Sequence, residues 1–85
     1  MIEVRKPTEA EAAKMQAMPV WEHEPGSFPW HYDQRETCLI LEGAVVVKSK
    51  DQTVNFGPGD YVIFPQGMDC EWTIREKVRK HYVFG

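Results

Sequence analysis

Three glycines and a proline set the frame of this chain. Gly43, Gly59 and Gly67, with Pro65, divide the sequence after Glu36 into short apolar segments. Gly57-Pro58-Gly59-Asp60 is a strong turn signal, and Lys50-Asp51-Gln52 makes another turn. Glycine suits corners because left-handed backbone angles cost it little. Proline suits a strand end, where an N–H is dispensable. Short, regularly spaced strands of this kind indicate a sandwich or barrel. The expected strands are Val20 to Glu24, Glu36 to Glu42, Ala44 to Lys48, Thr53 to Phe56, Tyr61 to Pro65, Asp69 to Ile74 and Val78 to Phe84. Between the first two lies a looser aromatic segment, Phe28-Pro29-Trp30-His31-Tyr32.

One helix precedes them. Thr8-Glu9-Ala10-Glu11 reads as a capping box, followed by good helix formers up to Gln16. Pro19 stops it. So short a helix needs a surface to rest on, and Met15 or Met18 is the expected contact. The 85 residues allow one domain, with a helix at about 8–17 and a barrel at about 20–84.

The spacing Glu36-x6-Gly43, followed by Gly59-x5-Pro65-x-Gly67-x2-Cys70, resembles the two signature motifs of the cupin superfamily. The resemblance covers residues 29 to 74. Those motifs are usually written G-x5-H-x-H-x(3 or 4)-E-x6-G and G-x5-P-x-G-x2-H-x3-N. The fold implied is all-β, a small antiparallel, jelly-roll-like cupin barrel with the short helix in front. The departures fall on the metal ligands. With a four-residue gap before Glu36, His31 takes the second histidine slot and Pro29 the first. With a three-residue gap, Tyr32 and Trp30 take them. Cys70 stands in the third histidine slot and Ile74 replaces the asparagine.

Among cupins the chain is most similar to the short domains resembling ureidoglycine aminohydrolase. The similar stretches are Glu36-Thr37-Cys38 with Leu41-Glu42-Gly43, Pro65-Gln66-Gly67 with Cys70 and Trp72, and Arg79-Lys80-His81-Tyr82. That resemblance implies a manganese-dependent hydrolase that removes ammonia from a ureide. The enzyme it implies carries two cupin domains, and this chain has room for one.

Alternation places side chains i and i+2 on one face of a strand. If Glu36 points inward, so do Cys38 and Ile40; if Cys70 does, so do Trp72 and Ile74. A carboxylate among aromatic rings needs a partner, because burying an unpaired charge is very costly. Three answers are open. A divalent metal, zinc or manganese, could sit on His31, Glu36 and Cys70; thiolate favours zinc. A cationic ligand group could sit on Glu36 with Trp30 or Trp72 stacked on it. An internal cation such as Arg79 or His81 could satisfy it with no function attached.

The leading expectation is a small polar metabolite bound around Glu36, with Trp30, Cys38, Cys70 and Trp72 as further contacts. The second is a metal-dependent enzyme, with Glu36 as ligand or general base and Tyr32 as proton donor. The third is a non-catalytic structural dimer. Cys70 is expected to be a partly activated thiol if a cation lies close.

A net charge of −3 argues against a nucleic-acid surface, and no apolar run suits a membrane span. The late basic residues Arg75, Lys77, Arg79 and Lys80 read as a solvated edge strand. His23 and His81 read as surface residues. Two free cysteines and no visible leader fit the cytoplasm. A barrel this small gains apolar area by association, so a homodimer is expected.

Overall fold

Two long strands organise the molecule. In the computed structural model, which describes residues 1–85, β4 runs over Glu36–Ser49 and β7 over Asp69–Phe84. They pair antiparallel along most of their length, from Glu36↔Phe84 to Ser49↔Cys70. Each changes its outer partner halfway. Residues 36–39 of β4 pair with β6 (Tyr61–Phe64), and residues 45–48 pair with β5 (Thr53–Phe56). Residues 69–74 of β7 pair with β3 (Gly26–His31), and residues 78–81 with β2 (Val20–His23). A further strand, β1 (Glu3–Arg5), pairs with β6. The result is one antiparallel sheet of seven strands, folded across the middle of its two long members.

The expected fold class holds, with four differences in its elements. Gly43 is not a turn between two strands. It lies in a run of register shifts between Ile40 and Val45, so β4 bends there without ending. The stretch from Asp69 to Phe84 is likewise one strand, not two. The aromatic segment is not loose, because Phe28↔Trp72 and Trp30↔Cys70 are regular ladder pairs. Strand β1 was not expected at all. The bulged centre has a physical use: two long strands can close on themselves only if they are sharply bent, and a bulge bends a strand.

The core follows the alternation. Cys38 and Ile40 from β4 meet Val62 and Phe64 from β6, Val45 and Val47 from the far half of β4, and Trp72, Ile74 and Val78 from β7. Thr37 and Leu39 alternate with the core residues of β4 and are also buried. Helix α1 (Glu9–Met15) packs on β4 and β7 and buries Met15, as its expected footing requires. Its capping box is present: Glu11 N–H donates to Thr8 Oγ1 at 3.1 Å and Thr8 N–H donates to Glu11 Oε1 at 2.9 Å.

Candidate functional site

One end of the fold holds a cavity of about 270 Å³. Its construction starts with register. Trp21 on β2 stands directly opposite Lys80 on β7, and Phe28 on β3 stands opposite Trp72. Cys70, Trp72, Ile74, Val78 and Lys80 are all buried, so the even-numbered side of β7 faces inward over most of its length. That parity brings a lysine into an aromatic interior.

Lys80 is 5% exposed and Glu36 3% exposed. Lys80 Nζ donates to Glu36 Oε2 at 2.9 Å. The ammonium also lies 4.8 Å from the ring centroid of Trp21 and 4.5 Å from that of Trp72. Each ring presents negative quadrupole density to it. Glu36 therefore has its counter-ion inside the protein, and the two charges cancel.

Tyr32 and Trp72 complete the floor. Tyr32 follows β3 directly and is pinned to the Gly67 corner. Its N–H donates to Met68 O at 2.9 Å, and Gly67 N–H donates to Tyr32 O at 2.6 Å. Its ring stacks on Phe64 at 4.9 Å between centroids. The Tyr32 hydroxyl and the Trp72 indole N–H are both buried and make no hydrogen bond of good geometry, although the hydroxyl lies beside the Glu36 carboxylate and the Trp72 N–H. Burial pushes the Tyr32 phenol far above its usual range, the Glu36 carboxylate adds to the effect, and the Trp72 N–H opposes it. The hydroxyl thus remains protonated. The cavity wall is apolar, with Trp21, Phe28, Trp30, Tyr82 and Phe84 around the floor. Trp30 and Phe84 are nearly half exposed.

The residues expected from sequence divide into two groups. Trp30, Tyr32, Glu36 and Trp72 do come together around the cavity. Cys38, Cys70 and His31 do not join them. Cys38 is fully buried in the core, and burial pushes its thiol up. Cys70 is buried but does not line the cavity. Its thiol is pushed up to about 11 by burial, with the Asp69 and Glu36 charges adding to the effect. The expected activation is therefore reversed: burial is the main cause, and the charges that act on the thiol are the carboxylates of Asp69 and Glu36. His31 points to solvent, where its Nδ1 lies 2.7 Å from Asp69 Oδ1. The three-residue gap is the one the fold uses: Trp30 and Tyr32 face inward, and Pro29 and His31 face out.

A metal does not fit these residues. His31, Glu36 and Cys70 do not converge, and no three His, Cys, Asp or Glu side chains are grouped to hold an ion. Two aromatic side chains stand in the histidine slots. The position beside the Glu36 carboxylate is taken by the Lys80 ammonium.

Sequence reasoning missed Lys80 as a site residue. It expected an internal cation but looked to Arg79 and His81. It also read the basic run as a solvated edge, whereas β7 lies inside the sheet, between β4 and β2. His81 is not a surface residue: it is 8% exposed and its Nδ1 meets Met18 O at 2.9 Å. Parity was the available signal. Lys80 shares the even numbering of Cys70 and Trp72, and one uninterrupted strand carries all three.

Comparison with known proteins agrees with this architecture. The sequence profile of the EutQ-like cupin domain matches residues 10–82. The crystal structure of a DUF861 family protein from Thermotoga maritima is 40% identical, with each chain covered over 100% of its length and a TM-score of 0.94. The EutQ protein of Clostridium difficile shares the fold at 18% identity, with 76% of this chain and 52% of that chain covered and a TM-score of 0.71. A DUF861 family protein from Pseudomonas syringae is 29% identical over 78% of this chain and 29% of that chain, with a TM-score of 0.70. No protein of curated function matches the sequence. No helix is long and apolar enough to cross a membrane. With a family profile spanning nearly all of it and a full-length relative at 40% identity, the chain belongs to the EutQ-like cupin family.

Proposed function

We propose that this protein binds one small metabolite in the aromatic cavity above the Glu36–Lys80 pair. The observation that carries the reading is the pair of buried donors without a well-formed hydrogen bond, Tyr32 hydroxyl and Trp72 N–H, in residues that line a largely apolar cavity beside the Glu36–Lys80 pair. Buried polar groups are nearly always hydrogen-bonded, and those that are not call for an explanation. A concave, largely apolar cavity with a few convergent polar groups is the usual form of a small-molecule site. Glu36, Tyr32, Trp30 and Trp72 act as ligand contacts in this reading, and Lys80 joins them.

The metal-dependent hydrolase implied by the aminohydrolase resemblance is the alternative. It would need His31, Glu36 and Cys70 around one ion, and the Lys80 ammonium stands against that. A general base at Glu36 is likewise disfavoured while its carboxylate is held by Lys80.

Nuclear magnetic resonance tests the binding reading directly. The chain has three tryptophans, Trp21, Trp30 and Trp72, and all three line the cavity. In a screen of small metabolites, a ligand should shift the three indole N–H signals together. Ligands that shift only peaks from other parts of the barrel, or a broad screen with no ligand at all, would refute the proposal.

A further inference from the structure

The floor of the cavity is electrically balanced, and this restricts what can bind there. It holds one carboxylate and one ammonium, 2.9 Å apart and both shielded from water. A ligand with a charged head would leave one uncompensated charge at the buried floor of a largely apolar cavity, which is costly. A ligand with no polar head would leave Tyr32 hydroxyl and Trp72 N–H without partners, which is also costly. The remaining class is neutral and polar.

The donor and acceptor pattern narrows that class. Trp72 Nε1 can only donate, and the Tyr32 hydroxyl, held protonated, can donate as well. Lys80 has three N–H donors and gives one to Glu36 Oε2. Glu36 can only accept; Lys80 engages its Oε2, and the Tyr32 hydroxyl and Cys38 thiol lie beside the carboxylate. The floor therefore offers several donors next to one acceptor. A carbonyl oxygen suits the donors, and an adjacent N–H suits the carboxylate. The ring-lined wall of Trp21, Phe28 and Trp30 suits a small apolar or aromatic body attached to that head.

We propose that the ligand is a neutral carboxamide-type compound, its carbonyl taken by Tyr32, Trp72 and Lys80 and its N–H by Glu36. This rests on the cavity reading above and adds the chemical class of the ligand. The Glu36–Lys80 pair is then a selectivity device as well as a structural one, because it rejects both signs of charge.

A matched series of probes decides it. Benzamide, benzoate and benzylamine share one ring and differ in the charge of the head. Binding to the wild-type protein is followed by tryptophan fluorescence and by calorimetry. Benzamide should bind more tightly than either charged probe by about tenfold or more, the scale of an unpaired charge in a partly polar site. Single substitutions should then shift the preference in opposite directions. Lys80→Met leaves a lone carboxylate and should favour benzylamine; Glu36→Gln leaves a lone ammonium and should favour benzoate. If either substitution prevents folding, the wild-type series still decides. A charged probe binding wild type as tightly as benzamide overturns the neutral-head inference and leaves the cavity reading intact. No binding by any of the three at millimolar concentration overturns the inference, and the indole N–H screen then judges the cavity reading separately.

Discussion

Lys80 Nζ sits 2.9 Å from Glu36 Oε2, with the side chains of the two residues only 6% and 4% exposed. The pair joins β7 to β4 inside the sheet fold, in the place where the cupin motifs put a metal ligand. Its energetics follow from the asymmetry of buried charges. The mutual attraction roughly offsets the loss of hydration, but removing one partner leaves the other unpaired.

The first prediction is therefore a strongly non-additive cycle. Lys80→Met and Glu36→Leu, made singly, should each destabilise the protein by about 3–5 kcal/mol. The double variant should lose less than either single one, because two apolar side chains of similar volume leave no stranded charge. Urea unfolding of the four proteins measures this. Additive losses would mean that the two side chains do not interact.

Thiol chemistry gives the second. Cys70 is held up to about 11 from an ordinary value of 9.0, and burial is the main cause. Near pH 8 its thiolate population should be about a hundredfold below that of a free thiol, since each unit is a factor of ten. Labelling of both Cys38 and Cys70 should be slow in the native protein and fast after denaturation. The sign for stability follows. The folded value is raised, so the contribution of the neutral Cys70 thiol is complete below pH 9 and lost as pH rises toward about 11. Cys70→Val should flatten that part of the profile.

How legible this was in the sequence depended on the kind of information each residue carries. Gly59, Gly67 and Pro65 announce backbone geometry, which is local, and they located turns between strands; Gly43 announced a special backbone angle too, but the structure uses it for a bulge inside β4 and not for a turn. Thr8 and Glu11 announced a helix start for the same reason. The inward set Cys70, Trp72 and Ile74 was readable because polar neighbours alternate with it. Lys80 was not readable from composition, because it stands between Arg79 and His81 in a charged stretch. Its burial depends on β7 running unbroken through Arg75, Glu76 and Lys77, and those charged residues look like a break. The choice between His31 and Tyr32 as the inward residue was also non-local. It is fixed by the pairing of β3 with β7, above all by Trp30↔Cys70.

The third prediction concerns acid. Arg5 donates from both terminal nitrogens to Glu11, at 2.7 Å each, tying β1 to the first turn of α1. The Arg5 hydrogen bonds hold the Glu11 carboxyl down at about 2, from an ordinary value of 4.5, and the Thr8 N–H adds to the effect. A depressed carboxyl stabilises the fold above its unfolded value and stops doing so as it becomes protonated. This contribution should be full above about pH 4.5 and lost as pH falls toward about 2. Glu11→Gln should flatten the acid limb over that window. High salt should reduce the difference between the two proteins, because the pair is solvent-accessible.

The last prediction separates two glycines that look alike in the sequence. Gly43 and Gly67 both have positive φ, at 113° and 85°. A Cβ on Gly67 would meet nothing within 4 Å. One on Gly43 would lie 2.7 Å from Lys77 O and 2.7 Å from Val78 Cα, and both are backbone atoms of the neighbouring strand. Backbone in the middle of a paired strand cannot swing aside as a side-chain tip can. Gly67→Ala should therefore cost only the conformational term, about 1–2 kcal/mol. Gly43→Ala should add a steric term and exceed about 4 kcal/mol, or prevent folding altogether. Thermal unfolding of the two variants beside wild type makes the comparison. Similar losses at both positions would mean that β4 and β7 can separate at the bulge, and that Gly43 is kept for its φ alone. A much larger loss at Gly43 would mean that the two long strands pass so closely there that only a hydrogen atom fits between them.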